Sequence, residues 1–205
     1  MSHAPSTAHS APEATTTGLN HRKLLMWAFL ASDCMLFGSL IASYLLYRGK
    51  SLVGPYPHEV FNIPYTSISA FVLLMSSLTM VLALSAIQRG DMRGLKVWLL
   101  ATALLGTVFV GGQYFEFTTF AHEGLSLKTN LFGTTLYVLT GFHGTHVTVG
   151  IIILLSFFVV AIRGRLTPKQ HLNIELAGLY WHFVDVVWIV IFTVVYLIEA
   201  PNITT

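Results

Sequence analysis

Ionisable side chains set within long apolar runs are the part of this sequence that could do chemistry. Asp33 lies in Ser32-Asp33-Cys34-Met35-Leu36-Phe37-Gly38, deep in such a run, and its side chain is too short to snorkel to water. A carboxylate at the centre of a bilayer costs at least ~2.5–3.5 kcal/mol, so Asp33 must be protonated, hydrogen-bonded or paired across an interface. It then locks helix packing, handles a proton or contacts another subunit. Gln113 and Glu116 are three residues apart and share one helix face, near an end where water or a loop residue is expected to satisfy them. His143 and His146, in Thr140-Gly141-Phe142-His143-Gly144-Thr145-His146, share a face too. Two imidazoles supply two metal ligands where catalytic zinc takes three from the protein. Neutral rings bonded to Asp33, Glu175 or backbone carbonyls are the expected arrangement. Further on, Glu175, Gly178, His182, Asp185 and Ile189 recur at spacings of three and four, forming one stripe on which His182 and Asp185 can share a proton. Tyr180, Trp181 and Trp188 add bulky packing with phenol and indole donors. Periodicity alone allows a buried structural network, a proton site or part of a metal site.

The elements that hold these residues are transmembrane helices. Hydrophobic residues make up 54% of the 205 and charged ones 10%, against roughly 25% charged in soluble domains. Mean hydropathy is +0.69. Five stretches, 24–47, 65–88, 95–120, 133–162 and 176–198, are long enough to cross the hydrocarbon. Alternating strands of a membrane barrel are excluded, so the expected fold is an all-α bundle of five spans within residues 21–205. Short connections such as Arg89–Gly94 make neighbours antiparallel. Residues 1–20, rich in Ala, Ser, Thr and Pro, read as a mobile tail rather than a secretory signal. With the N-terminus cytoplasmic, the inner side holds Arg22, Lys23, Arg89, Arg93, Lys96, Arg163, Arg165 and Lys169. The outer side then holds Arg48, Lys50 and Lys128, which favours N-in and C-out. Gly106, Gly111 and Gly112 suggest close approach of another backbone, and Gly141 and Gly144 suit tight helix contact.

Several activities lack their residues. The net charge of +2 is scattered, leaving no footprint for nucleic acid. A lone Cys34 excludes a disulfide framework and a CxxC site. Paired histidines four turns apart for a transmembrane haem, a Gly-x-Ser-x-Gly elbow and a His-Glu-x-x-His zinc motif are all missing. No internal repeat marks a transporter.

Thr140–His146 together with Tyr180-Trp-His-Phe-Val-Asp-Val-Val-Trp188 resembles subunit III of the haem–copper oxidases. Gln113-x-x-Glu116, Leu131-Phe-Gly-Thr-Thr135 and Ser32-Asp33 fit the same family, and the resemblance covers about residues 21–199. It departs from the seven-helix mitochondrial form, matching its last five helices as the short bacterial form does. Asp33 stands where cytochrome c oxidases usually carry Glu. Ser-Asp-Cys-x-Leu-Phe looks like the ubiquinol-oxidase branch, whereas Glu175 ahead of Tyr180-Trp-His looks like the cytochrome c branch. The resemblance implies a non-catalytic core subunit in a bacterial plasma membrane, belonging to a proton-pumping cytochrome c oxidase that reduces O2 to water. It implies no cofactor in this chain, with haem and copper held by partner subunits. Packing on subunit I, company with subunit II and a small subunit IV, and bound phospholipid follow from the same likeness. Asp33, Gln113, Glu116, His143, His146, Glu175, His182 and Asp185 become the polar interior with a proton or lipid role. Arg22, Arg93 and Arg163 become candidate lipid-phosphate contacts beside their positive-inside role. A quinol-oxidase subunit, an accessory protein of a nitric oxide reductase system and a metalloenzyme using His143, His146 and His182 stay open as alternatives.

Overall fold

The computed structural model describes residues 20–47, 63–122, 124 and 131–198. The tail expected over 1–20, apart from Asn20, and the three basic residues Arg48, Lys50 and Lys128 lie outside the described residues. Five α-helices follow one another: α1 His21–Tyr47, α2 Ile63–Gln88, α3 Met92–His122, α4 Leu131–Ile162 and α5 His171–Phe192. A 3-10 turn, Pro168–Gln170, leads into α5, and a π-helical turn, Thr193–Leu197, continues it. No strand occurs among the described residues. All five helices are long and apolar enough to span a bilayer. Each begins somewhat before its expected span, with polar residues such as His21–Lys23 in α1 and His171, Asn173 and Glu175 in α5, and with the apolar pairs Ile63-Pro64 in α2 and Leu131-Phe132 in α4.

Local chemistry sets the turns. Gly90 takes φ +77°, a left-handed value that ends α2 without a Cβ penalty. One residue later the Asp91 carboxylate accepts from the backbone N–H groups of Arg93 (3.1 Å) and Gly94 (2.9 Å), capping α3. Gly164, at φ +68°, closes α4 in the same way. These tight reversals make α2 and α3, and likewise α4 and α5, antiparallel, and α1 and α5 start at the same end of the bundle. There Arg22 Nη1 donates to Asn173 Oδ1 at 3.3 Å, and Lys23 Nζ meets Glu175 Oε1 at 2.6 Å.

α5 occupies the middle, touching α2, α4 and α1, while α3 packs between α2 and α4. Trp181 of α5 is the pin of this arrangement. Its indole lies against Gly106 of α3 and Gly150 of α4, where an added Cβ would come within 2.5 and 2.9 Å of ring carbons. Its Nε1 donates to Ser76 Oγ of α2 at 2.9 Å. The close neighbour expected at Gly106 is therefore an aromatic ring rather than a backbone. Gly112 is approached by Tyr65 and Ser69 side chains, and Gly111, Gly141 and Gly144 have no atom within 4 Å of a Cβ position. The tight helix contact expected at Gly141 and Gly144 is thus not made among the described residues. α1 buries one stripe, Leu30, Asp33, Phe37 and Tyr44, and turns Leu25 (70% exposed) and Met35 (78%) outward. Outward apolar faces of this extent suit lipid or protein partners in the membrane.

Candidate functional site: a buried polar seam

The seam begins where α1 meets α4 and α5. Asp33 is 7% exposed, and its Oδ2 lies 3.6 Å from His146 Nε2. The other imidazole nitrogen, Nδ1, lies 2.8 Å from the Phe142 carbonyl oxygen one turn back, which fixes the ring. Tyr180 donates its hydroxyl to the His146 carbonyl at 3.0 Å, and Phe37 stands edge-on to the ring at 5.0 Å. Asp33, His146 and Tyr180 thus come together from three helices, and the carboxyl on α1 reaches a histidine through the α1–α4 contact.

His143, one turn before His146, makes a different contact. Fully buried, it stacks on Trp188 at 4.9 Å, with Phe37 and Phe109 edge-on at 6.3 and 6.0 Å. Neither ring nitrogen has a hydrogen-bond partner among the described residues. The expectation that both imidazoles would hydrogen-bond therefore describes His146 and not His143, because aromatic rings from three helices close around the latter. Trp188 takes Phe109 edge-on at 4.9 Å and Tyr196 at 6.4 Å on its other sides.

The stripe expected on α5 divides. Asp185 turns to α2, where Ser77 donates to its Oδ2 at 2.6 Å, and no hydrogen bond joins it to His182 among the described residues. His182 instead lines a nearly apolar groove against α1 with Trp27, Leu30 and Cys34. Glu175 pairs with Lys23 at the bundle end, and Ile189 is 46% exposed. The stripe runs along a seam between two partner helices, so its members face different neighbours, and His182 and Asp185 interact through charge without a hydrogen bond among the described residues.

Glu116 also departs from expectation. It is 5% exposed and satisfied within the bundle: Thr66 donates to Oε1 at 2.7 Å and Gln113 Nε2 to Oε2 at 3.2 Å. Tyr196 faces the same carboxyl. Water or a loop is not required, because α2 brings a threonine to that depth. Thr66, Ser76, Ser77 and Tyr196 were not singled out from the sequence. The available signal was the interior spacing of Thr66, Leu73, Ser76, Met80 and Ala83 along α2. Arg93 and Arg163 are exposed at the bundle end that Arg22 shares.

No group of three His, Cys, Asp or Glu among the described residues could hold a metal ion. His143 is walled by aromatic rings, and His146 already faces a carbonyl and a carboxyl, so these residues do not fit a haem or copper site.

The family model described as cytochrome c oxidase subunit III matches residues 8–200. The chain belongs to that family. Quinol oxidase subunit 3 of Bacillus subtilis (strain 168) is 38% identical over 198 residues, covering 96% of this chain and 97% of the relative. Cytochrome c oxidase subunit 3 of Bacillus sp. (strain PS3) is 38% identical over 189 residues, 92% and 91% of the two chains. The subunit of that name in Thermostichus vulcanus is 37% identical over 192 residues, 93% and 90%. This subunit III of a haem–copper terminal oxidase is therefore a multi-pass protein of the bacterial plasma membrane, and its partners are the other subunits of the oxidase.

Proposed function

We propose that this chain is the non-catalytic brace of a proton-pumping oxidase that reduces O2 to water, packed on subunit I through the α1 side of its bundle. The observation that carries the reading is the Asp33–His146 pair at 3.6 Å, a buried carboxyl on the helix with the least cover. An intramembrane carboxyl facing an imidazole marks a functional position and suits a subunit that supports proton uptake and the durability of the working enzyme. Haem and copper reside in subunits I and II, and a small subunit IV completes the complex. Arg22, Arg93 and Arg163 sit where phospholipid phosphates lie, with the N-terminus cytoplasmic and the C-terminus outside. Asp33→Asn in the purified complex tests this. Subunit III content stays at the wild-type level, while steady O2 consumption fails after fewer turnovers. Unchanged endurance, or loss of the subunit, overturns the proton role.

The donor is cytochrome c on this reading. Quinol is the second reading, favoured by a quinol oxidase relative that matches 97% of its length at the same identity. Oxidation rates of reduced cytochrome c and of a quinol by the purified complex decide between them.

A further inference from the structure

A groove of about 320 Å³ opens between α3 and α4, lined by Val110, Gln113 and Phe117 on one side and by Gly141, Gly144 and Thr148 on the other. Gly141 and Thr145, like Gly144 and Thr148, stand four residues apart, the small-residue spacing with which membrane helices let a second backbone come close. Among the described residues nothing uses that spacing, since no atom lies within 4 Å of a Cβ at either glycine. A second, independent feature lies in the same groove. Gln113 is 5% exposed and commits its amide N–H to Glu116, yet its Oε1 is buried without a hydrogen-bond partner among the described residues. In hydrocarbon an orphan acceptor of this kind is costly.

We propose that this groove seats one transmembrane helix of a partner subunit, which crosses at Gly141 and Gly144 and brings a hydroxyl or N–H donor to the Gln113 amide oxygen. Residues 141–148 rise roughly 10 Å along α4, about the diameter of one crossing helix. Donor and acceptor chemistry selects among occupants. The groove threonines spend their protons on their own helix, Thr145 on the Gly141 carbonyl at 2.9 Å and Thr148 on the Gly144 carbonyl at 2.8 Å. The lining around Gln113 is thus rich in acceptors. A lipid acyl chain has no donor to offer. A second copy of this chain docked groove to groove offers one further donor, the Tyr114 hydroxyl of the same lining, against the acceptors of both threonine positions. A foreign helix carrying Ser, Thr, Asn or Trp satisfies Gln113 and fills the notch together.

The proposal rests on membership of an oxidase complex, and its test separates the two. In the tagged complex, Gly144→Cys in a Cys34→Ser background carries a benzophenone maleimide. Illumination yields one adduct with a defined helix of another oxidase subunit, while Val108→Cys, exposed outside the groove, yields phospholipid adducts. Phospholipid adducts alone at Gly144, or a crosslinked pair of this chain, overturn the proposal. Gly144→Trp lowers retention of the crosslinked subunit through a detergent wash about tenfold, or ~1.4 kcal/mol. Thermal unfolding of the chain itself stays unchanged, and undiminished retention overturns the proposal too. A tagged chain that brings down no oxidase subunit at all overturns the membership first and the docking with it.

Discussion

Glu116 sits 5% exposed among the donors Thr66, Gln113 and Tyr196, and neighbours of this kind set the energetics of single residues here. Thr66→Val removes the 2.7 Å donor and leaves the buried Glu116 carboxyl one donor short, at a cost of about 1–3 kcal/mol. Thr66→Ser restores the bond, and thermal unfolding of the complex reads both. Gly106→Ala places a methyl group 2.5 Å from the Trp181 ring and destabilises by about 1–3 kcal/mol. The same change at Gly111, where nothing lies within 4 Å, costs little. The sequence alone treats the two glycines alike. It identifies Asp33, Glu116 and His146 because polar groups in apolar runs demand partners. It does not identify Thr66 or Ser77, because a hydroxyl in such a run can always bond its own helix, as Ser67 does to the Ile63 carbonyl.

Among the helices, α5 has the most buried span and α1 the least. Trp181→Ala therefore costs about 3–5 kcal/mol, since it opens a cavity bordered by α2, α3 and α4. Trp181→Phe keeps most of the volume and loses chiefly the bond to Ser76, a smaller effect resolved by the same unfolding measurement. The Lys23–Glu175 pair, 33% and 27% exposed, contributes at most about 1 kcal/mol. Glu175→Gln accordingly shifts unfolding slightly at low salt and not at high salt. If Glu175→Gln destabilised as much as Trp181→Ala, the seat of stability would lie at the bundle end instead of in α5. Helix number and extent were legible because apolar length is a one-dimensional property. The division of the Glu175–Ile189 stripe among α1, α2 and lipid was not, because periodicity defines a face without naming its neighbour.

On the molecular scale the charge distribution is the basis of the proposed orientation. Arg22, Arg93 and Arg163 lie at one end of alternating helices, so a membrane-impermeant thiol reagent labels Arg165→Cys (in a Cys34→Ser background) from the cytoplasmic side only. Labelling from outside intact cells overturns the N-in reading. Metal analysis of this chain separated from the complex is expected to find no stoichiometric iron, copper or zinc, and a bound metal would contradict its proposed role as a brace. The sequence by itself determined that the chain lives in lipid, crosses it five times and buries ionisable groups that require partners, since burial of charge is penalised wherever the partner sits. Only the tertiary structure decided which partners those are: Asp33 with His146, Asp185 with Ser77, Glu116 with Thr66, and a histidine among aromatic rings. Pairings between distant residues follow from how helices rotate and lean against one another, and that is set by the fit of whole faces, with Trp181 in its glycine notch as the clearest instance.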